Sequence, residues 1–204
     1  MKHLEIEDAL HPHGLFVMGR DASRVLIGTD AHWWSVFILS PEYQDGFANP
    51  VDRWSKRIIG ALAEQSGARA CFPSDGPPYA PFIAWALATG RFWQSPTGMM
   101  IHDRAGLMIS IRGALEFDTP FPTETPNPSP CITCVGKPCI AACPVDALSD
   151  AHPYDAPTCK TYLGTPAGAA CMTGGCLVRQ ICPVSQSFAR PDAQSAFHMK
   201  AFVG

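Results

Sequence analysis

The chain has 204 residues, 47% of them hydrophobic and 16% charged, and a net charge of −3 at pH 7, which supports one sizeable core, or one core plus a small module. With slight acidity and no Lys/Arg run it lacks what a nucleic-acid partner held by phosphate contacts requires, and no apolar run reaches the ~20 residues of a membrane helix. Met1 to Gly14 carries charges and histidines where a signal peptide needs an apolar stretch, and nine cysteines at metal-like spacing suit a reducing compartment, so the expected location is the cytoplasm.

Residues 1–23 show no decisive pattern, and His3, His11 and His13 read as surface histidines rather than metal ligands. Arg24 to Gly28 is a short apolar run ending at glycine, which predicts a buried strand. The aromatic cluster that follows, with Trp33, Trp34 and Phe37, reads as core. Asn49-Pro50 is a helix start, with Asn able to cap and Pro suited to the first helical position. Val51, Trp54, Ile58, Ile59 and Leu62 recur at helical spacing up to Gly67. Ala68 to Phe72 predicts a second buried strand, with Cys71 a buried, inert thiol. Ser74-Asp75-Gly76-Pro77-Pro78 is a turn, and Phe82 to Leu87 predict a helix ending by Gly90. Met99–Ile101 and Leu107–Ile111 flank His102-Asp103-Arg104-Ala105-Gly106, which predicts a hairpin between the two apolar segments. Five prolines between Asp118 and Pro130 mark an extended linker, so the domains are expected at 1–117 and 131–204. The tail, Ser185 to Gly204, predicts one helix.

The second domain carries the chemistry. It reads Cys131-x2-Cys134-x4-Cys139-x3-Cys143-Pro144, then Cys159, then Cys171-x4-Cys176-x5-Cys182-Pro183. Eight thiolates are what two four-iron clusters need. Bacterial two-cluster ferredoxins use C-x2-C-x2-C-x3-C-P, in which the last Cys of each run serves the other cluster. Three thiolates on a tight loop cover three corners of a cube; a fourth, on a short helix stopped by the following proline, points to the second cube. Three gaps are two residues longer than that rule, and Gly136, Gly174 and Gly175 supply the permissive dihedrals for such bulges. Structural zinc on paired Cys knuckles and a disulfide framework are the competing readings.

Cys159-Lys160-Thr161-Tyr162-Leu163, between two Cys-Pro runs, resembles the iron–sulfur module of the epoxyqueuosine reductase and reductive dehalogenase family. Gly90 to Ile101 is similar to that family's Gly-x-Gly-Trp-x-Gly-Lys-Asn-x-Leu-Leu-Ile segment, with Pro96 where the family has lysine, and Ile109 to Leu115 resembles the strand before its cluster module. The resemblance implies an α+β chain: a nitroreductase-like α/β domain able to bind cobalamin or a partner, then a small ferredoxin-like two-cluster module. It implies one 4Fe-4S cluster on Cys131, Cys134, Cys139 and Cys182, and another on Cys143, Cys159, Cys171 and Cys176. Asp75 falls where the family has its catalytic proton donor, although before Gly76 it reads first as a turn-former.

The expected function is therefore electron transfer through two 4Fe-4S clusters to a cofactor or substrate held by the N-terminal domain, with an electron donor and an acceptor as partners. A cobalamin-dependent reductase or cobalamin-processing enzyme, and a zinc-stabilised binding module, are the alternatives. Whether the chain is itself an enzyme, and its oligomeric state, are not fixed by the sequence.

Overall fold

The computed structural model describes residues 3–122 and 126–204. In chain order the elements are α1 (His3–Leu10), β1 (Leu15–Asp21), β2 (Arg24–Thr29), α2 (Trp33–Phe37), α3 (Pro41–Gln44), α4 (Pro50–Ser66), β3 (Arg69–Cys71), α5 (Phe82–Ala88), β4 (Phe92–Gln94), β5 (Met100–His102), β6 (Ile111–Glu116), α6 (Ala156–Leu163), α7 (Ala169–Gly174), α8 (Leu177–Gln180), α9 (Pro183–Phe188) and α10 (Asp192–Val203). The chain is α+β. Among the described residues no helix is long and apolar enough to cross a membrane.

Two compact units form: Met1–Phe92 with Ser110–Asn127, and Trp93–Ile109 with Pro128–Gly204. The chain thus passes out of the first unit, contributes residues 93–109 to the second, and returns, whereas the sequence places those residues wholly in the first domain. The second passage between units, after Asn127, falls inside the proline-rich 118–130 segment, of which residues 123–125 lie outside the described residues, as does the side chain of His3.

The first unit is built on an antiparallel sheet in the order β1-β2-β6-β3. β1 and β2 are joined by the two-residue turn Ala22-Ser23, with Asp21 opposite Arg24. Arg24 ties the corner down, with its guanidinium 3.0 Å from Asp21 and 3.1 Å from Glu116 on β6. Val25, Leu26 and Ile27 are fully buried beside Ala114 and Leu115, so the strand expected at Arg24 to Gly28 is a central one. β1 was not legible as a strand, although Leu15, Phe16, Val17 and Met18 are all buried. The expected strand at Ala68 to Phe72 forms as β3, but at the sheet edge: Arg69 is exposed, and the free thiol Cys71 is half-buried rather than buried. Among the described residues β3 pairs with β6 and no other strand.

α4 lies across β6 and β3 and buries Trp54, Ile58, Ile59 and Leu62 at the spacing read from the sequence. Gly67 ends the helix in the left-handed conformation, φ +65°. Asn49 does not cap with its side chain; it enters the helix at φ +54°, a conformation Asn tolerates better than most residues. Trp33, Phe37 and Trp54 form the aromatic core expected here, with Trp33 stacked on Phe37 at 4.5 Å and edge-on to Trp54 at 5.8 Å.

In the second unit, β5 does not pair forward with residues 107–111 as the sequence suggests. It pairs back with β4, through a turn closed by Ser95 N–H to Met99 O at 2.8 Å and Gly98 N–H to Ser95 O at 3.0 Å. The 102–106 turn still closes on itself as a single bridge between His102 and Gly106. Residues 111–116 are instead claimed by the main sheet as β6. The tail forms two helices, α9 and α10, because Ala189 turns left-handed at φ +55° and Pro191 cannot continue the preceding helix.

Candidate metal centre

All nine cysteines carry free thiols. Eight of them lie in the second unit, in two sets of four. Cys131, Cys134, Cys139 and Cys182 line one cavity of about 390 Å3, walled also by Ile101, Leu107, Pro138 and Val184. Cys143, Cys159, Cys171 and Cys176 line another of about 20 Å3, walled by Leu148, Leu163, Val178 and Met199. Each cavity takes three cysteines from one stretch and its fourth from the other: Cys182 joins the first run, and Cys143 joins the later three. Between them lies one apolar cluster, with Ile101, Leu107, Leu148 and Val178 packed together. The two cavities are thus backed by a single shared layer of side chains.

Local geometry explains the placement. Cys131 to Cys143 lies in a run of turns, with Gly136 at φ +70° and Lys137 at φ +39° making the bulge that the longer gap demands. Gly175 makes the second, at φ +97°, where a Cβ would also fall 2.8 Å from the Ser195 side chain. Gly174 takes no such conformation; it ends α7. Cys182 does not sit on a helix stopped by proline. It precedes α9, and Pro183 is that helix's first residue, where a missing N–H costs nothing. Cys143 likewise lies outside any helix, between two turns.

The environment is apolar but supplied with donors to sulfur. Burial pushes the Cys131 and Cys139 thiols up, and Cys139 rises further beside Cys131, Cys182 and Cys134. The Ser129 hydroxyl works against this at Cys131. In the second set, burial pushes Cys171 and Cys176 up, while backbone N–H groups act in the opposite sense: Leu177 on Cys171, Arg179 and Val178 on Cys176. The Ala147 N–H donates to Cys143 Sγ at 3.2 Å. Tyr154 lies near Cys159; its own pKa is pushed up, chiefly by burial and then by the neighbouring thiol. Nothing in the sequence spacing singled out Ser129 or Tyr154, because a neighbour brought in by tertiary packing leaves no periodic mark.

Among the described residues no group of three or more His, Cys, Asp or Glu side chains converges tightly enough for a metal ion. A zinc ion with Zn–S bonds of about 2.3 Å draws its four thiolates to within roughly 4 Å of one another. Here the thiols stand around a space instead of meeting at a point. Thiolates at the outer corners of an iron–sulfur cube are spread more widely, so the donor set of the first cavity, soft sulfur in an apolar wall, fits such a cube. The second cavity has the same donors around a smaller space, near the volume of one water, and its walls must withdraw to admit one.

Asp75 lies in the first unit on the loop after β3, half exposed, with its carboxylate 2.6 Å from Lys56 Nζ. Compared with protein-family models and with curated proteins, the chain matches none.

Proposed function

We propose that this protein is an iron–sulfur electron carrier with two 4Fe-4S clusters, one on Cys131, Cys134, Cys139 and Cys182 and the other on Cys143, Cys159, Cys171 and Cys176. The observation that carries this is the sorting of eight thiols into two foursomes around two cavities, each foursome drawing one member from the distant run. Crossed sharing of this kind is the ligation pattern of two-cluster ferredoxins; the second unit is accordingly read as a ferredoxin-like module and the first as nitroreductase-like.

Each bound cluster would supply a one-electron couple. The chain's own residues do the rest. The apolar layer of Ile101, Leu107, Leu148 and Val178 keeps the separation between the sites short and dry, and electron tunnelling falls steeply with distance. Backbone N–H groups at Ala147, Leu177, Val178 and Arg179 hold thiolate charge without protonating it. The first cavity reaches the surface beside the exposed Ile132 and Val135, where a donor or acceptor protein could approach. Such a carrier works in the cytoplasm, where its thiols stay reduced until metal is loaded.

Anaerobic purification tests this directly. The expected product is brown, with about eight iron and eight sulfide per chain, and gives an electron paramagnetic resonance signal on reduction. Colourless protein holding about two zinc ions after anaerobic handling would sink the proposal and favour a zinc-stabilised module.

A further inference from the structure

The two foursomes are not given equal room. The first surrounds about 390 Å3 and the second about 20 Å3. A 4Fe-4S core has eight atoms, whereas a space of about 20 Å3 takes one water. As the chain is folded, the first foursome fits a cube and the second does not. The walls show what closes the second. Leu148, Leu163 and Val178 are 4%, 6% and 1% exposed, and Leu148 and Val178 also belong to the layer that backs the first cavity. Neither of those two can withdraw without disturbing the site behind it. Met199 of α10 differs: it is half-buried, unbranched and has three rotatable bonds. α10 is itself held unevenly. Its start is fixed: Arg190 donates to the Met108 carbonyl, Gln194 is fully buried, and Ser195 sits against Gly175, where a Cβ would fall 2.8 Å from it. Its end is held by less. Phe202 meets the Tyr154 ring at 6.5 Å, and Lys160 Nζ reaches the Val203 carbonyl at 3.5 Å on the surface. Met199 lies one turn before that loosely held end.

We infer that the folded chain is built to receive one cluster, on Cys131, Cys134, Cys139 and Cys182, and that the end of α10 is a door on the second foursome, kept closed by Met199. Metal is then taken up in order, the first foursome ahead of the second, and a four-iron form is a discrete species. The inference rests on the proposed function and deepens it. Filling the first foursome exchanges the proton of each thiol for a bond to iron, and the protons leave to solvent. Iron supplied half ferrous and half ferric, with inorganic sulfide, makes the oxidised cube without net electron transfer. The second foursome waits on the door. Lifting the last turn of α10 gives up the Phe202 contact and the surface bond from Lys160, and it carries Met199 with it, while Arg190, Gln194 and Ser195 keep the start of the helix in place.

The test follows uptake of iron and sulfide by the full chain, purified anaerobically from iron-limited cells. Two variants separate the sites. Cys171→Ser, with the first foursome intact, is expected to take up about four iron in the fast phase of the wild type. Cys139→Ser, with the second foursome intact, takes up its iron about tenfold to a hundredfold more slowly, the delay that unburying roughly one Met side chain imposes. A second readout needs no iron: N-ethylmaleimide labelling of the same preparations, mapped by peptide mass spectrometry. Cys171 and Cys139 are 6% and 8% exposed, so each is a matched control for the other. Met199→Ala speeds labelling of Cys171 but not of Cys139, and it speeds the slow uptake of Cys139→Ser. Met199→Leu, which keeps the bulk, does neither. Phe202→Ala loosens the end of α10 without touching the cavity wall and acts in the same direction as Met199→Ala. If both Cys variants fill at one rate, or if Met199→Ala and Phe202→Ala leave Cys171 labelling unchanged, the inference is overturned while the electron-carrier function stands. If the wild type takes up no iron and sulfide at all, it is the function that fails.

Discussion

The backbone N–H of Leu107 donates to the hydroxyl of Ser185 at 2.8 Å, joining residues 78 positions apart. Leu107 lines the first cavity, and Ser185 lies three residues after Cys182, so this bond holds the last cysteine of the chain against the β4–β5 hairpin. The approach is close because residue 106 is glycine: a Cβ there would fall 2.4 Å from the Ser185 backbone nitrogen, at φ +57°. Gly106→Ala therefore meets backbone rather than a movable side chain, and is expected to cost about 2–4 kcal/mol. Ser185→Ala leaves the buried Leu107 N–H without its acceptor and costs about 1–3 kcal/mol. Urea unfolding of the second unit checks both; a Gly106→Ala midpoint equal to wild type would show that the contact is not maintained.

Removing single thiols should divide the metal in two. Cys139→Ser and Cys171→Ser each belong to one foursome only, so each is expected to lower iron from about eight to about four per chain, and the double variant to near zero. Cys71→Ser, in the first unit and outside both cavities, should leave iron unchanged. Iron and sulfide assay with the reduced-state resonance spectrum distinguishes these outcomes. Loss of all iron from either single variant would mean that the two sites assemble as one.

These expectations were partly readable from the chain, and the reasons differ by element. α4 was legible because Trp54, Ile58, Ile59 and Leu62 repeat at 3.6 residues against one face. The gathering of Cys182 with Cys131, Cys134 and Cys139 was legible through the resemblance of the cysteine runs to a known pattern. β1 was missed because Leu15 to Met18 is a continuous apolar run too short for periodicity to distinguish strand from helix. The partner of β5 was misassigned because local turn chemistry at 102–106 looked sufficient, while the competing turn at 95–98 depends on Ser95 and Gly98 closing a loop around Pro96 and Thr97. The split of the tail at Ala189 was invisible because a left-handed alanine has no sequence signature. Tyr154 comes near Cys159 through tertiary packing, which no local sequence pattern records.

The aromatic core of the first unit makes a sharper stability prediction. Trp54 is 1% exposed and meets Trp33 edge-on at 5.8 Å and 79°, and Phe37 at 6.0 Å and 85°. Trp54→Ala opens a cavity between α4 and α2 and is expected to cost about 3–5 kcal/mol, with Trp54→Phe keeping the edge contact and costing less. Denaturant unfolding followed by tryptophan fluorescence measures it. A loss near zero for Trp54→Ala would mean that the ring contributes no packing.

Glu42 gives the pH dependence. Its carboxylate, 10% exposed, receives two bonds from Arg57, Nε at 2.5 Å and Nη2 at 2.9 Å. The Arg57 guanidinium holds the Glu42 carboxyl below the ordinary carboxylate range, against a smaller opposing effect of burial, with Arg53 adding to the depression. A folded-state pKa below the unfolded value, about 4.3 for Glu, means that unfolding takes up a proton. The pair's contribution is therefore fully present above about pH 5 and is lost as the pH falls through the folded value. Arg57 is half exposed and can turn to water when its partner is lost, which limits the effect of Glu42→Gln to about 1–2 kcal/mol at pH 7. Unfolding free energies of wild type and Glu42→Gln, measured from pH 7 to pH 3, should differ by a constant amount down to about pH 5 and converge below it. A gap that stays constant to pH 3 would show that the carboxylate is not held ionised by Arg57, and that Glu42 stabilises the α3–α4 corner by packing alone.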